Sequence, residues 1–165
     1  MADEPMVTPE ARAMIGMETR RDVGVVYRKE AQRWAAAVGD VNPRYFDEDA
    51  AREQGFRDTP IPPLFVSQVM QGVTIRDNLR PDGIPARGSG DIPLNNANRR
   101  LAGGEEYEFL APIYPGDTLT AVSRIANIEE KTGRSGRFVV ITRETTYTNQ
   151  DGVVVVRGRL STIAN

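Results

Sequence analysis

The chain has 165 residues, 39% hydrophobic and 27% charged, which suits one domain with a single core. A net charge of −2 offers no broad basic field for nucleic acid or an anionic membrane surface. Cys and His are both absent, which excludes disulfides, thiolate nucleophiles, Cys or His metal sites and every dyad or triad built on histidine.

No segment approaches the roughly 18 apolar residues of a membrane span. The first residues, MADEPMVTPEAR, carry acids where a secretory leader carries bases and an apolar run, so a cytoplasmic chain is expected. Acid–base work falls to Asp, Glu, Tyr or Lys, and the lysines are Lys29 and Lys131 alone.

Residues 1–8 read as a flexible tail before a single domain over 9–165. Thr8-Pro9-Glu10 opens a short helix to about Met14, with Thr8 as N-cap. Val25 to Tyr27 is a short extended run. From Lys29 to Val38, Ala31, Trp34, Ala35 and Val38 share one helix face, and Gly39 stops it. Asp40-Val41-Asn42-Pro43 is a tight turn. Asp47-Glu48-Asp49 places acids at the start of another helix that ends at Gly55. Pro60, Pro62 and Pro63 lead stiffly into residues 64–70, apolar on most sides and read as a helix buried in the fold. Residues 71–100 read as a long loop or flap. Strands are expected at 105–110, 119–129, 138–148 and 153–163, with hairpin loops at 131–136 and 149–152. The last three make an antiparallel meander. The predicted class is α+β, a sheet wrapped around one apolar helix.

The stretch Ala35 to Asp47, with Gly39-Asp40-Val41-Asn42-Pro43-Arg44-Tyr45 at its centre, followed by Pro60-Ile61-Pro62-Pro63-Leu64-Phe65, resembles the MaoC-like family of hot-dog proteins. The later segments Gly103 to Phe109 and Pro115-Gly116-Asp117-Thr118-Leu119 fit the same order. The family includes (R)-specific enoyl-CoA hydratases and 3-hydroxyacyl thioester dehydratases, whose pattern is Gly-Asp-x-Asn-Pro-x-His and then a helix beginning near His-Gly. The likeness is greatest to N-terminal-type MaoC-like domains, which work as one half of a double hot dog.

The resemblance implies a hot-dog fold and an acyl-thioester substrate, with CoA or an acyl carrier as part of that substrate and no separate cofactor or metal. It places the catalytic Asp at Asp40 and the Asn at Asn42. The histidine position is Tyr45. The helix start falls near Pro63 and Leu64, where Leu64 can donate an amide N–H to a thioester carbonyl and Pro63 cannot. Tyr45 is a poor base, because its reference pKa of about 10 leaves roughly one in a thousand ionised at pH 7.

Arg99 and Arg100, and Arg134 with Arg137, are candidates for CoA phosphates, although solvated surface arginine is the plainer reading. Asp40 and Asn42 have a plainer reading too, as turn and cap residues. Tyr45 can simply fill the histidine's space and close the pocket.

Three functions follow. The leading one is a non-catalytic or weakly catalytic hydratase/dehydratase subunit, dimerised with a His-bearing MaoC-like chain. The others are a self-contained homodimeric hydratase or thioesterase using Asp40, and a non-enzymatic acyl-CoA binding protein.

Overall fold

In the computed structural model, which describes residues 4–68, 92–97 and 99–165, five strands form one antiparallel sheet in the order β1-β3-β4-β5-β2. They are β1 (Glu18–Val25), β2 (Arg100–Phe109), β3 (Thr118–Gly133), β4 (Gly136–Thr148) and β5 (Val154–Ala164). The helices are α1 (Pro9–Ala13), α2 (Arg28–Ala37), α3 (Glu48–Glu53) and α4 (Phe65–Gln68), with a 3-10 turn at Pro43–Tyr45.

The expected meander is β3-β4-β5. Its first hairpin is tighter than the expected 131–136 loop, because pairing runs to Gly133↔Gly136 and leaves only Arg134 and Ser135 at the tip. β1 and β2 begin well before their expected starts. β1 begins at Glu18 rather than Val25, pairing Glu18 with Arg124 and Val25 with Thr118. Its side chains are mostly exposed, so no hydrophobic alternation marks it in the sequence. β2 begins at Arg100 rather than Glu105. Gly103-Gly104 lies at a bulge within the strand. Gly104 there has φ +143, and a Cβ on Gly103 would sit 3.0 Å from the Ser161 carbonyl oxygen.

The tail expected over residues 1–8 is not loose at Met6 and Val7, which are buried. The Met6 N–H donates to Glu130 Oε2 at 2.8 Å, and Val7 bridges Leu94. Both side chains join a cluster with Ala11, Ile92, Ile125, Ile128 and Ile141, so burial of apolar area anchors this part of the chain. A second cluster joins Val26, Ala31, Phe65, Val66, Leu119, Ala121, Tyr147 and Val156. Ala121 and Ile125 stand four residues apart on β3, so the clusters adjoin along the sheet, about 13 Å apart at that point.

The helix expected over 64–70 begins at Phe65, where Phe65 and Val66 are fully buried. Residues 69 and 70 and the 71–91 part of the expected flap lie outside the described residues. α2 buries Ala31 and Ala35 and sets Trp34 edge-on to Phe65 at 6.3 Å. Val38, expected on that face, is exposed, because it is the C-cap residue where the helix unwinds.

The opposite face of the sheet is charged. One row of facing residues crosses all five strands as Glu18, Arg124, Glu144, Arg159 and Glu106, alternating in sign. Arg124 Nη2 lies 2.7 Å from Glu144 Oε2.

Asp117 is the buried carboxylate that fixes the approach to β3, with 3% exposure. Its Oδ2 accepts the Tyr114 N–H at 2.8 Å, while Oδ1 accepts from Gln150 Nε2 at 3.1 Å and Arg57 Nη2 at 3.3 Å. Asp117→Ala leaves those donors without their acceptor and is expected to cost about 3 kcal/mol. Urea unfolding of the variant against the parent chain measures this, and a loss below about 1 kcal/mol would show that water replaces the carboxylate.

Candidate active site

α2 ends where Gly39 turns left-handed at φ +78, and the next residues form a capped turn. Asp40 Oδ1 accepts the Asn42 N–H at 3.3 Å, and Asn42 Oδ1 accepts the Arg44 N–H at 3.2 Å. The turn-and-cap reading of these two side chains is therefore what the structure displays. Their geometry swings Tyr45 inward to 5% exposure. Gln32 of α2 donates to the Tyr45 carbonyl at 3.1 Å and braces the turn from behind.

The second wall is the proline-rich segment before α4. The Arg28 guanidinium grips Asp58 through both carboxylate oxygens, at 2.9 and 2.8 Å, and also donates to the Thr59 hydroxyl. Burial opposes ionisation of Asp58, but the Thr59 N–H and the Arg28 guanidinium hold its carboxyl below the ordinary range. Ile61 then joins the segment before β3, its N–H donating to the Ile113 carbonyl at 2.9 Å.

Between these walls lies a cleft of about 280 Å³. Tyr45 and Pro63 line it together with Arg44, Phe56, Pro60, Ile61 and the stretch from Phe109 to Ile113. Of the residues singled out from sequence, Asp40 and Asn42 stay in the turn before Tyr45 and are not part of the cleft's lining, while Tyr45 and Pro63 line it. Leu64 follows directly, with a half-exposed side chain. Its carbonyl accepts from Ser67, and its N–H meets no acceptor among the described residues.

Arg99 and Arg100 are not part of this cleft. They stand at the far end of β2 from Phe109, nine residues away, which is about 30 Å along a strand. The Arg100 guanidinium donates to the carbonyls of Ala97, Arg99 and Ile92. Arg137 pairs with Glu130. Sequence reasoning missed Arg44, Phe56 and the Phe109–Leu110 pair. The available signal was a cation at the variable position before Tyr45, and an apolar pair closing β2.

Burial pushes the Tyr45 phenol above its ordinary value of 10.0; the Arg44 charge opposes this and the Asp40 charge adds to it. Asp40 therefore acts electrostatically on the Tyr45 hydroxyl, and the phenol is neutral at pH 7. The position can give or share a hydrogen bond, but it does not supply a base. Among the described residues no group of three or more acidic, Cys or His side chains is placed to hold a metal ion. Nor is any described helix long and apolar enough to cross a membrane. A larger groove of about 760 Å³ lies on the charged face of the sheet, where Arg124 and Arg157 are paired with Glu144 and Glu108.

Residues 13–157 match the FAS1-like dehydratase domain region. The chain belongs to this family. It is a MaoC-like hot-dog chain, and its strand order is consistent with that fold. The probable enoyl-CoA hydratase alpha subunit of Thermomonospora curvata is 33% identical over 151 residues, covering 86% of this chain and 46% of that protein. The chain thus spans about half the length of that relative. The ChsH1-ChsH2 complex from Mycobacterium tuberculosis superposes with a TM-score of 0.74 at 18% identity, covering 93% of this chain and 88% of that one. The C-terminally truncated HadBC (3R-hydroxyacyl-ACP dehydratase) complex from the same organism gives 0.65 at 20% identity, covering 91% and 96%. At these identities the structural likeness shows the hot-dog fold.

Tyr45, Tyr107 and Tyr147 are all pushed above 10.0, chiefly by burial. The folded state then holds these protons more tightly than the unfolded chain. The stability they contribute is full below about pH 10 and is lost as pH rises through the folded values. Urea midpoints should fall above pH 10, with a shallower fall in Tyr45→Phe. Absorbance at 295 nm should show no phenolate forming near pH 7, and a Tyr45-dependent rise there would mean that the side chain ionises as a base.

Proposed function

We propose that this chain is the supporting half of an acyl-thioester hydratase/dehydratase, and that a His-bearing MaoC-like subunit completes the double hot dog. The observation that carries this reading is the intact Asp40–Asn42 turn presenting a buried, neutral Tyr45 at the position of the family's histidine. The frame for a thioester is kept while the base is lost. The first curated relative is named an alpha subunit and is about twice as long, and two of the solved neighbours, ChsH1-ChsH2 and HadBC, are complexes. β2 supports pairing as well: among the described residues it is a ten-residue edge strand, nearly all exposed.

In this reading the partner subunit's Asp and His take a proton from water. The water oxygen bonds to C3 of a trans-2-enoyl thioester, the C2=C3 electron pair moves toward the carbonyl, and C2 receives a proton. The reaction needs no cofactor beyond the carrier of the thioester, whether CoA or a carrier protein. This chain shelters the acyl group in its apolar cleft and offers the Leu64 N–H at the helix start. A second reading, a self-contained enzyme with Asp40 as base and Tyr45 as acid, is favoured by the protonated phenol lying within reach of the Asp40 charge.

Co-expression with a His-bearing MaoC-like subunit should yield a complex that hydrates crotonyl-CoA, while the chain alone is slower by about 100-fold or more. Tyr45→His should raise the activity of the chain alone. Copurification failing with every such subunit, together with no turnover, would end the supporting-half reading. Turnover by the chain alone that disappears in Asp40→Asn would establish the self-contained one.

A further inference from the structure

Arg44 is a cleft residue that neither the turn nor the proposed chemistry employs. Its backbone N–H belongs to the Asn42 cap, but its guanidinium lies in the cleft. The guanidinium carbon sits 5.2 Å from the Tyr45 ring centroid and 6.0 Å from that of Phe56. Nε is buried and has no hydrogen-bond partner. Arg28, Arg52, Arg57, Arg124, Arg137 and Arg157 each meet a carboxylate. Arg44 meets none among the described residues, and the Tyr45 hydroxyl beside it is neutral.

A cation partly withdrawn from water and left without a counter-charge is costly to hold. The aromatic rings offset part of that cost through the flat faces of the guanidinium. One of its N–H groups hydrogen-bonds the Tyr45 hydroxyl while the buried Nε–H has no partner, and the in-plane N–H fork matches the two oxygens of a carboxylate or the oxygens of a phosphate. The rest of the cleft is apolar, built by Pro60, Ile61, Phe109, Ala111 and Ile113. A ligand that satisfies both halves has a small apolar body and an oxyanion within reach of one guanidinium.

We infer that Arg44 is the anion-recognition residue of this cleft, selecting a thioester ligand that carries an oxyanion beside the apolar acyl portion. The thioester part of this inference rests on the proposed function; the anion part rests on the unpartnered Arg44 Nε and on the absence of a carboxylate beside it among the described residues. The oxyanion has two sources, a carboxylate at the far end of the acyl chain or a phosphate of the carrier.

Calorimetric titration of the full chain and of Arg44→Met with succinyl-CoA, butyryl-CoA and butyryl-pantetheine separates them. An acyl carboxylate predicts that succinyl-CoA binds more tightly than butyryl-CoA by about tenfold or more, and that Arg44→Met removes the difference. A carrier phosphate predicts that Arg44→Met weakens both CoA thioesters alike and leaves butyryl-pantetheine unchanged. Unaltered binding of all three probes by a folded Arg44→Met overturns the inference. A second measurement needs neither a variant nor a thioester: the ¹⁵N resonance of the Arg44 Nε–H during titration with succinate and with inorganic phosphate. A saturable shift with either anion, when no thioester binds, upholds anion recognition and sinks the thioester reading. No shift with any anion or thioester overturns the role assigned to Arg44.

Discussion

The carboxylate of Asp117, sealed from water where β3 begins, gathers stretches of chain that lie far apart in sequence. Its own turn is closed through Tyr114, the β4–β5 hairpin is tied through Gln150, and the segment after α3 is tied through Arg57. Its carbonyl accepts the Val26 N–H at 2.8 Å, so the end of β1 is bound to the same point. The Arg57 guanidinium also lies 4.3 Å from the Tyr114 ring centroid, which orients it. A buried polar side chain of this kind demands hydrogen-bond donors. The demand is what makes the prolines at 60, 62 and 63 begin from a defined place, and the cleft wall they build follows from it.

The opposite wall has a different cause. Tyr45 is inward because Asp40 and Asn42 spend their oxygens on backbone amides, forming a turn too tight to place it elsewhere. The same two residues that suggest chemistry by likeness thus do structural work first. The turn uses the Asp40 and Asn42 side chains and makes no call on the ring at Tyr45, so it accommodates a tyrosine where the family pattern has a histidine. In the proposed reading this separates frame from chemistry, with this chain keeping the first and a partner subunit carrying the second.

Much of this was legible in the residues. The caps at Thr8 and Asp47, the stop at Gly39, the Tyr114–Asp117 turn and the three-strand meander follow from local rules that tertiary packing does not override. β1 was legible only at its end, since Glu18 to Asp22 are polar and owe their extended form to β3. Met6 and Val7 look like any tail until Glu130 and Leu94, more than eighty residues away, are brought to them. Arg44 was hidden for another reason. One arginine among many announces nothing by type, and its meaning comes from the carboxylate that it lacks.

The alternating row Glu18, Arg124, Glu144, Arg159 and Glu106 bears on how a polar strand finds its place. In most sheets a slipped strand is rejected because its greasy residues would turn to water. β1 has almost no greasy residues to turn. A slip of two positions keeps its faces correct but sets Glu18 against Val122 or Ala126 instead of Arg124. The row acts as a combination lock, in which sign stands in for hydrophobicity as the carrier of alignment. It suits an exposed edge, where charge can specify position and also discourage a stray strand from joining.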